Sequence, residues 1–398
     1  MRAIRLHPAP PPQPPYSPSN PAPPSSLHLD SNLPIPVPSE AGDLLVRLHA
    51  TAVIRDELAW PETYEEEYTT PGHDFSGVVV EVYQEGKSQD QNSISNSNFT
   101  PVPTPASSTS LSGSSSPFKP GDQVFGMLHP SHPSAWSEYL LVKSSDAVAK
   151  KPSGMSWEEA AAVPLSALTA WQALFGRAGV EVPDLEGLEG LEALGLGRDG
   201  KRGDGEGKGE KETKETKEKG KKILITGATG GVGLYLIQLA HLSNNHVTAL
   251  TSTPSKNSDF LLTLGADEVI SPPTLSSLAQ ENVYDIIIDT IGGDVLKKSW
   301  TSIKPSGTLI SIDSSSYDFT DRHPATLPAA ARKKEEGVKA VWFIVEADRA
   351  DLERVGEVVE RGLLRVFVGR RFGLEGARGA YELAGRRAEE RGRVVLVV

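Results

Sequence analysis

Residues 225–233 read ITGATGGVG, a run of small residues set between a short apolar stretch and a longer one. Ala228, Gly230 and Gly233 fit a (G/A)-x-G-x-x-G spacing. In that spacing small side chains permit a tight turn, close backbone approach to a pyrophosphate, and packing of a helix on a strand. Thr229, Gly231 and Val232 complete the loop, and free backbone N–H groups at a helix start favour phosphate charge. An NAD-binding fold usually carries an acid about 20 residues further on, at the end of its second strand, for the ribose 2′-hydroxyl. Here that place holds Thr251, Ser252, Thr253, Ser255 and Lys256, with no carboxylate. Hydroxyls and a lysine suit a 2′-phosphate, so the expected cofactor is NADP(H).

A second kind of chemistry is raised by TTPGHDFSGVVVEV (69–82), where His73 stands between a glycine and an aspartate. A histidine there could ligate a metal or merely open a strand. The chain has no cysteine. That excludes disulfides, thiolate nucleophiles and any cysteine-ligated zinc or iron–sulfur site.

Regular elements must hold these residues. DLLVRLHATAVI (43–54) alternates like a half-buried strand, GVVVEVY (77–83) and DQVFGML (122–128) read alike, and KPGD (119–122) makes a turn. Residues 1–150 are therefore expected to be mainly β. The pattern becomes helical over 156–179, where Ser156 precedes Glu158 and Glu159. From residue 221 short apolar strands alternate with helices: KKILITG, LYLIQLAHL, HVTALTS, NSDFLLTLGA, DEVIS, YDIIIDTIGG, VLKKSWTSI and GTLISI. Such alternation predicts βαβ units and a parallel sheet covered on both faces. DLERVGEVVERGLL and RGAYELAGRRAEE are expected helices, and GRVVLVV a final strand. Three segments differ in composition: 8–26 is mostly proline and serine, 86–117 is rich in Ser, Asn and Thr, and 183–220 runs into Lys and Glu. All three are expected to be disordered or loosely ordered.

At 398 residues two domains are expected. A net charge of −12 and a pI near 5.3 argue against nucleic acid or an anionic membrane as partner. No apolar run reaches the roughly 20 residues that span a bilayer. The N-terminal stretch has arginines and no acid before Asp30, but its proline density is incompatible with an amphipathic targeting helix. The expected compartment is the cytoplasm, with the mitochondrion as the lesser alternative.

PGHDFSGVVVEV, FKPGDQVFGM, EEAAAVPLSALTAWQAL, ILITGATGGVG, LGADEVI, YDIIIDTIGG and RGRVVLVV occur in an order that resembles the medium-chain dehydrogenase/reductases. The likeness is to their zinc-independent branch of quinone oxidoreductase-like and enoyl reductase proteins. It implies an α/β fold with a GroES-like β-barrel catalytic domain (1–155) and a Rossmann doubly wound parallel-sheet domain (156–312). Residues 313–398 would then return to the catalytic domain. In the zinc-dependent branch the histidine equivalent to His73 is a ligand beside an earlier cysteine, and here Ile54 and Arg55 stand in that place. No metal is expected, since one histidine beside Asp74 does not supply three protein ligands. The resemblance implies hydride transfer from NADPH to a quinone, enone or related α,β-unsaturated carbonyl, with a donor for the substrate oxygen. The family's Asn and Tyr are replaced near Val53 and Leu58, which leaves Arg55, Tyr64, Tyr68 and His73 as candidate catalytic donors. Thr169 matches a position near the nicotinamide, and Thr290, Ile291, Gly292, Ser311 and Ile312 should line that pocket. A homodimer accords with the family's habit. Two alternatives are a trans-acting enoyl reductase of a biosynthetic assembly and a catalytically silent NADPH-binding protein.

Overall fold

The computed structural model describes residues 1–83, 116–188, 190, 219–277, 282–321, 337–386 and 391–398. Nearly all of the 86–117 segment, and residues 189 and 191–218 of the third, lie outside the described residues. The chain begins with β1 (Ala3–Leu6) and β2 (Leu27–Asp30), an antiparallel pair with Ala3 opposite Asp30. Next come β3 (Leu44–Val53), β4 (Asp74–Val82), β5 (Gln123–Met127), β6 (Tyr139–Val142) and β7 (Ala147–Lys150). Helices α1 (Trp157–Ala161) and α2 (Pro164–Trp171) lead into one π-helical stretch, Gln172–Arg177.

The following portion alternates: β8 (Lys222–Ile225), α3 (Gly231–Leu242), β9 (His246–Leu250), α4 (Pro254–Thr263), β10 (Glu268–Ile270), α5 (Pro272–Ser277), β11 (Tyr284–Asp289), α6 (Gly293–Ser302) and β12 (Ile303–Ser311). After β13 (Lys339–Trp342) come α7 (Arg349–Glu360), β14 (Val368–Gly373), α8 (Ala377–Gly385) and β15 (Arg393–Val397).

Two larger sheets result. One is parallel, in the order β10-β9-β8-β11-β12-β13. The other runs β14-β15-β3-β4-β5-β7, with β6 also on β3, and is antiparallel except between β14 and β15. Ile223 and Ile225 of β8 face one core with Leu234, Leu236 and Ile237 of α3, whereas Leu224 faces the other with Trp300 and Phe319. Burial on both faces is why these strands read as continuous apolar runs. The first of those cores also takes in Phe125 and Met127 from β5 and Leu352 and Val355 from α7. The two sheets thus share one apolar body, in which each large buried side chain contributes about 2 kcal/mol.

Several expectations are corrected. Residues 8–26 are largely exposed but anchored at their C-terminal part: Ala22 is buried, Pro24–Ser26 form a 3-10 turn, and Tyr16 receives a hydrogen bond from Ser26. Proline lowers the entropy lost on ordering such a segment, and Tyr16 and Ala22 supply apolar surface against Leu27, Leu58 and Tyr64. The start of the third segment is docked as well, for Leu185 and Leu188 pack on the main core and Arg361 donates to the Leu185 carbonyl. The helical stretch expected over 156–179 comes in pieces, divided between α1 and α2 because Pro164 cannot donate to a continuing helix. Strand β3 is buried on nearly every residue, since α1 covers one side of it and the sheet core the other. The parallel sheet also continues past residue 312, where β13 pairs with β12.

Candidate active site

The small residues after β8 build a narrow turn. Gly227 has φ 62°, and a Cβ there would lie 2.1 Å from the Thr290 Oγ1. A Cβ on Gly233 would come 2.4 Å from the Gly227 carbonyl, so the first turn of α3 can sit on the end of β8 only as glycine. The sequence reading made Ala228 the first small position; the residue that takes the left-handed turn is Gly227. Gly230 caps α3 with extended backbone, leaving the helix's first N–H groups to whatever lies in front of it.

Two side chains that sequence reasoning missed stand at that helix start. A Cβ on Gly231 would lie 2.8 Å from the Arg393 Cδ and 3.2 Å from the Ser166 Oγ. The Ser166 Oγ and the Arg393 Nε are buried and have no hydrogen-bond partner among the described residues. Asp74 fixes both from behind. Its Oδ2 accepts from the Arg393 Nη2 at 2.9 Å, and its Oδ1 accepts from the Leu165 N–H at 2.6 Å, at the start of α2. Burial pushes the Asp74 carboxyl up, against the pull of Arg393 and the Leu165 N–H. A helix N-terminus flanked by an orphaned guanidinium N–H and an orphaned hydroxyl fits a dinucleotide pyrophosphate.

At the end of β9, Thr251 is buried, and its hydroxyl accepts from Asn257 at 3.4 Å. Ser252 and Lys256 are exposed. Arg391, also missed, reaches this corner from the segment before β15. Its Nη2 donates to the Lys256 carbonyl at 3.0 Å and to the Asn257 Oδ1 at 3.1 Å, and its guanidinium lies 4.2 Å from the Phe260 ring centroid. Arg393 lay inside a segment read as a strand, and Arg391 just before it, with no spacing to mark either.

The C-terminal ends of β8, β11 and β12 are tied through Asp289. It accepts from the Thr226 hydroxyl at 2.7 Å, the Gly292 N–H at 2.8 Å and the Ser311 hydroxyl at 3.1 Å. Burial raises its carboxyl above the usual range in spite of those donors. Thr290 and Thr226 exchange a reciprocal pair of 3.0 Å bonds. Ile291 is half-buried, and its N–H lies 3.4 Å from the Asp289 Oδ1. Gly292 has φ 74°, and a Cβ on it would meet the Asp313 Oδ2 at 2.3 Å. Thr169 is buried in α2, where its hydroxyl donates to the Leu165 carbonyl at 2.6 Å.

The four candidate donors have separate surroundings. Arg55 reaches across to the loop after β12, with its Nη2 3.8 Å from the Asp313 Oδ1. Tyr64 donates to the Leu58 carbonyl and accepts from the Ala22 N–H at 2.9 Å, so its hydroxyl is occupied by backbone. Tyr68 has φ 58° and packs against Arg5 and His7. His73 is buried beside Glu57, with its Nδ1 2.9 Å from the Glu57 Oε1 and its Nε2 3.3 Å from the Pro130 carbonyl. Burial opposes its charged form, yet Glu57, the Pro130 carbonyl and Asp74 outweigh that and hold His73 above its ordinary value. Among the described residues no group of three or more His, Cys, Asp or Glu is placed to hold a metal ion. Nor is any described helix long and apolar enough to cross a membrane.

A six-stranded parallel sheet with a glycine loop at its C-terminal edge, joined to a mainly antiparallel sheet, defines a two-domain α/β oxidoreductase. Comparison with known proteins agrees. Residues 264–396 match the family model described as zinc-binding dehydrogenase. The chain is 31% identical over 374 residues to a protein of Arthroderma benhamiae named "Probable zinc-binding oxidoreductase, mitochondrial", covering 92% of this chain and 91% of that one. It is 27% identical to the chloroplastic quinone-oxidoreductase QR1 of Triphysaria versicolor, over 88% of each chain. Among solved structures, the quinone oxidoreductase from Coxiella burnetii superposes with a TM-score of 0.68 at 22% identity, covering 100% of this chain and 99% of that one. The chain belongs to the medium-chain dehydrogenase/reductase superfamily and is quinone oxidoreductase-like. Its cofactor is a nicotinamide dinucleotide and its substrate a small molecule.

Proposed function

We propose that this protein is an NADPH-dependent, zinc-independent reductase of quinones, enones or related α,β-unsaturated carbonyls. The observation that carries the reading is the pair of orphaned polar atoms, Ser166 Oγ and Arg393 Nε, at the start of α3. A dinucleotide bound there would supply a hydride. The chain's own part is to bind and orient it. Gly230 and Gly231 admit the pyrophosphate, and Ser166 and Arg393 donate to it, while Ala228, Thr229, Val232 and Gly233 shape the turn. Thr169 and the strand ends at Thr290, Ile291 and Gly292 would border the nicotinamide. Thr251, Ser252 and Lys256, joined by Arg391, favour a 2′-phosphate, because residues 251–256 at the end of β9 include no carboxylate and two cations stand there.

Zinc independence is supported by the donor set. Both Asp74 oxygens are already engaged, and among the described residues the carboxylate that the His73 ring hydrogen-bonds is Glu57. The quinone reading draws on the name of the Triphysaria relative. The organellar names of the relatives favour an organelle over the cytoplasm expected from composition. Imaging the tagged full chain decides between them, and a cytosolic signal would restore the earlier expectation.

The central test is fluorescence titration with NADPH and NADH, followed by NADPH oxidation with 1,2-naphthoquinone and an aliphatic enone. NADPH should bind at least about tenfold more tightly than NADH, a difference of roughly 1.4 kcal/mol. Ser166→Ala should weaken both cofactors, and Lys256→Ala or Arg391→Gln only NADPH. Tighter binding of NADH would defeat the NADP assignment. Cofactor binding without turnover on a broad carbonyl panel would sink the enzyme reading and leave a silent dinucleotide-binding protein.

A further inference from the structure

Three consecutive residues at the head of β15 reach the first turns of two helices that flank the parallel sheet. Arg393 stands at the start of α3, where a Cβ on Gly231 would lie 2.8 Å from its Cδ. Arg391 stands at the first turn of α4. There its Nη2 donates to the Lys256 carbonyl at 3.0 Å and to the Asn257 Oδ1 at 3.1 Å, and its Nε donates to the same Oδ1 at 3.3 Å. Between them Gly392 has φ 85°, and a Cβ on it would lie 2.2 Å from the Phe367 carbonyl. That carbonyl accepts from the Arg393 N–H at 3.0 Å, so the stretch is pinned at its middle. Phe367 in turn meets Phe260 of α4 at 5.3 Å between ring centroids, on the ring that the Arg391 guanidinium covers.

Each end of the stretch is continued by a further contact. Asn257 is buried, and its Nδ2 donates to the Thr253 Oγ1 at 2.9 Å and the Thr251 Oγ1 at 3.4 Å, at the end of β9. In the other direction Val394 follows Arg393 directly and pairs with Val53, the last residue of β3. The loop of candidate donors leaves from there. One line of contacts therefore joins the corner proposed for a 2′-phosphate to the strand end that leads to the substrate side.

Resting on the reductase reading above and deepening it, we propose that residues 391–393 are a strap through which the 2′-phosphate end of NADPH sets the register of the two sheets. Arg391 supplies charge to a phosphate at the end of β9, while Asn257 keeps its guanidinium aligned with Thr251 and Thr253. Arg393 meets the pyrophosphate two residues further on, so one pinned stretch answers to both phosphate groups. Arg391 and Asn257 act through that stretch and are positioning residues. Binding energy from a group remote from the reacting carbon then contributes to orientation, and shows in the rate of hydride transfer as well as in affinity. With NADH, Arg391 has only Lys256, Asn257 and Phe260 to hold, and β15 is not drawn into the reacting register. The two cofactors are thus told apart in turnover and not in binding alone.

The test uses the full chain, titrated by fluorescence and then saturated with NADPH or NADH. Two signals are read at saturation. One is the single-turnover rate of cofactor oxidation by 1,2-naphthoquinone. The other, without quinone, is hydrogen exchange of the Leu165 N–H, which donates to Asp74 at 2.6 Å across the joint between the sheets. In the parent NADPH should react at least about tenfold faster than NADH and slow Leu165 exchange at least about threefold more. Arg391→Gln should bring both ratios to within about twofold of unity. Arg391→Lys should recover part of each, because the charge returns without the planar fork. Asn257→Ala keeps both cations at the corner. It should hold NADPH affinity within about threefold of the parent yet lose both ratios, which a cation that only added affinity would not do. Equal rates and equal protection with the two cofactors, in a parent that binds NADPH the more tightly, overturn the strap and leave the NADP assignment standing. Ratios retained in Arg391→Gln or in Asn257→Ala overturn it as well. An Arg391-dependent difference in Leu165 exchange without cofactor oxidation upholds the strap and defeats the reductase reading. Tighter binding of NADH by the parent defeats both.

Discussion

Replacing Glu57 by glutamine should both destabilise the protein and reverse the pH dependence contributed by His73. The His73 Nδ1 faces the Glu57 Oε1 at 2.9 Å, and its Nε2 faces the Pro130 carbonyl at 3.3 Å. The Pro130 carbonyl can only accept, so the Nε2 carries a proton, and an imidazolium would donate to Glu57 as well. The same Oε1 accepts from the Gly72 N–H at 2.6 Å, which ties the pair to the entry of β4. Both side chains are essentially inaccessible, at 1% and 0% exposure. Removing one partner of such a buried pair costs about 3–5 kcal/mol.

The folded value of His73 lies above 6.5. Its stabilisation is therefore complete below the unfolded value and is lost as pH rises through the folded one, with a slope of at most about 1.4 kcal/mol per pH unit. In Glu57→Gln burial is left to dominate and should bring His73 below its ordinary value. Its contribution to stability then rises with pH toward 6.5 and is flat beyond. The gap between parent and variant should accordingly be wider at pH 6 than at pH 9, closing as pH rises through the folded value of His73. Urea unfolding across that range, with the His73 ring followed by NMR, measures both. A gap independent of pH, or a neutral His73 ring at pH 6 in the parent, would refute the argument.

Asp43 carries the opposite sign. Burial would raise it, but the Ser39 N–H, Lys143 and the Glu40 N–H outweigh burial and hold it below 3.8. Its stability is present above that value and lost as pH falls through the folded one, so Asp43→Asn should cost about 1–3 kcal/mol at neutral pH and almost nothing in strong acid; an equal cost at both extremes in acid and neutral denaturant melts would contradict this. Tyr64→Phe removes the acceptor of the Ala22 N–H and should lower unfolding free energy by about 1–2 kcal/mol, with faster proteolysis within 8–26. A hundredfold drop in its kcat at unchanged stability would instead return Tyr64 to the proton-donor role. Gly233→Ala places a methyl 2.4 Å from the Gly227 carbonyl and should weaken both nicotinamide cofactors more than about tenfold in fluorescence titration, and retained affinity would count against the loop as their site.

The glycine loop and the parallel sheet were legible because their signals are local. A glycine is needed where a Cβ would strike the chain only a few residues away, as Gly233 would strike Gly227. Likewise β8, β9, β11 and β12 read as apolar runs because each is buried on both faces. The short edge strands β13 and β14 carry no such run, since their residues are half-exposed. For residues 8–26 composition records the polar and proline content but not Tyr16 and Ala22, which find an apolar face to cover.

By itself the sequence determined that a glycine-rich loop opens a helix after β8, that no thiolate takes part, and which residues could serve as donors. Only the tertiary structure decided which of them meet. Asp74 and Arg393 lie 319 residues apart, Asp74 and the Leu165 N–H 91 apart, and Asp56 and Ser314 258 apart. No spacing rule reaches across such intervals, because those pairs are set by how two sheets share one core rather than by the pitch of any helix or strand. His73 shows the same division: its neighbours in sequence resemble a metal-binding motif, and its neighbour in space is Glu57, whose carboxyl raises the histidine above its ordinary value.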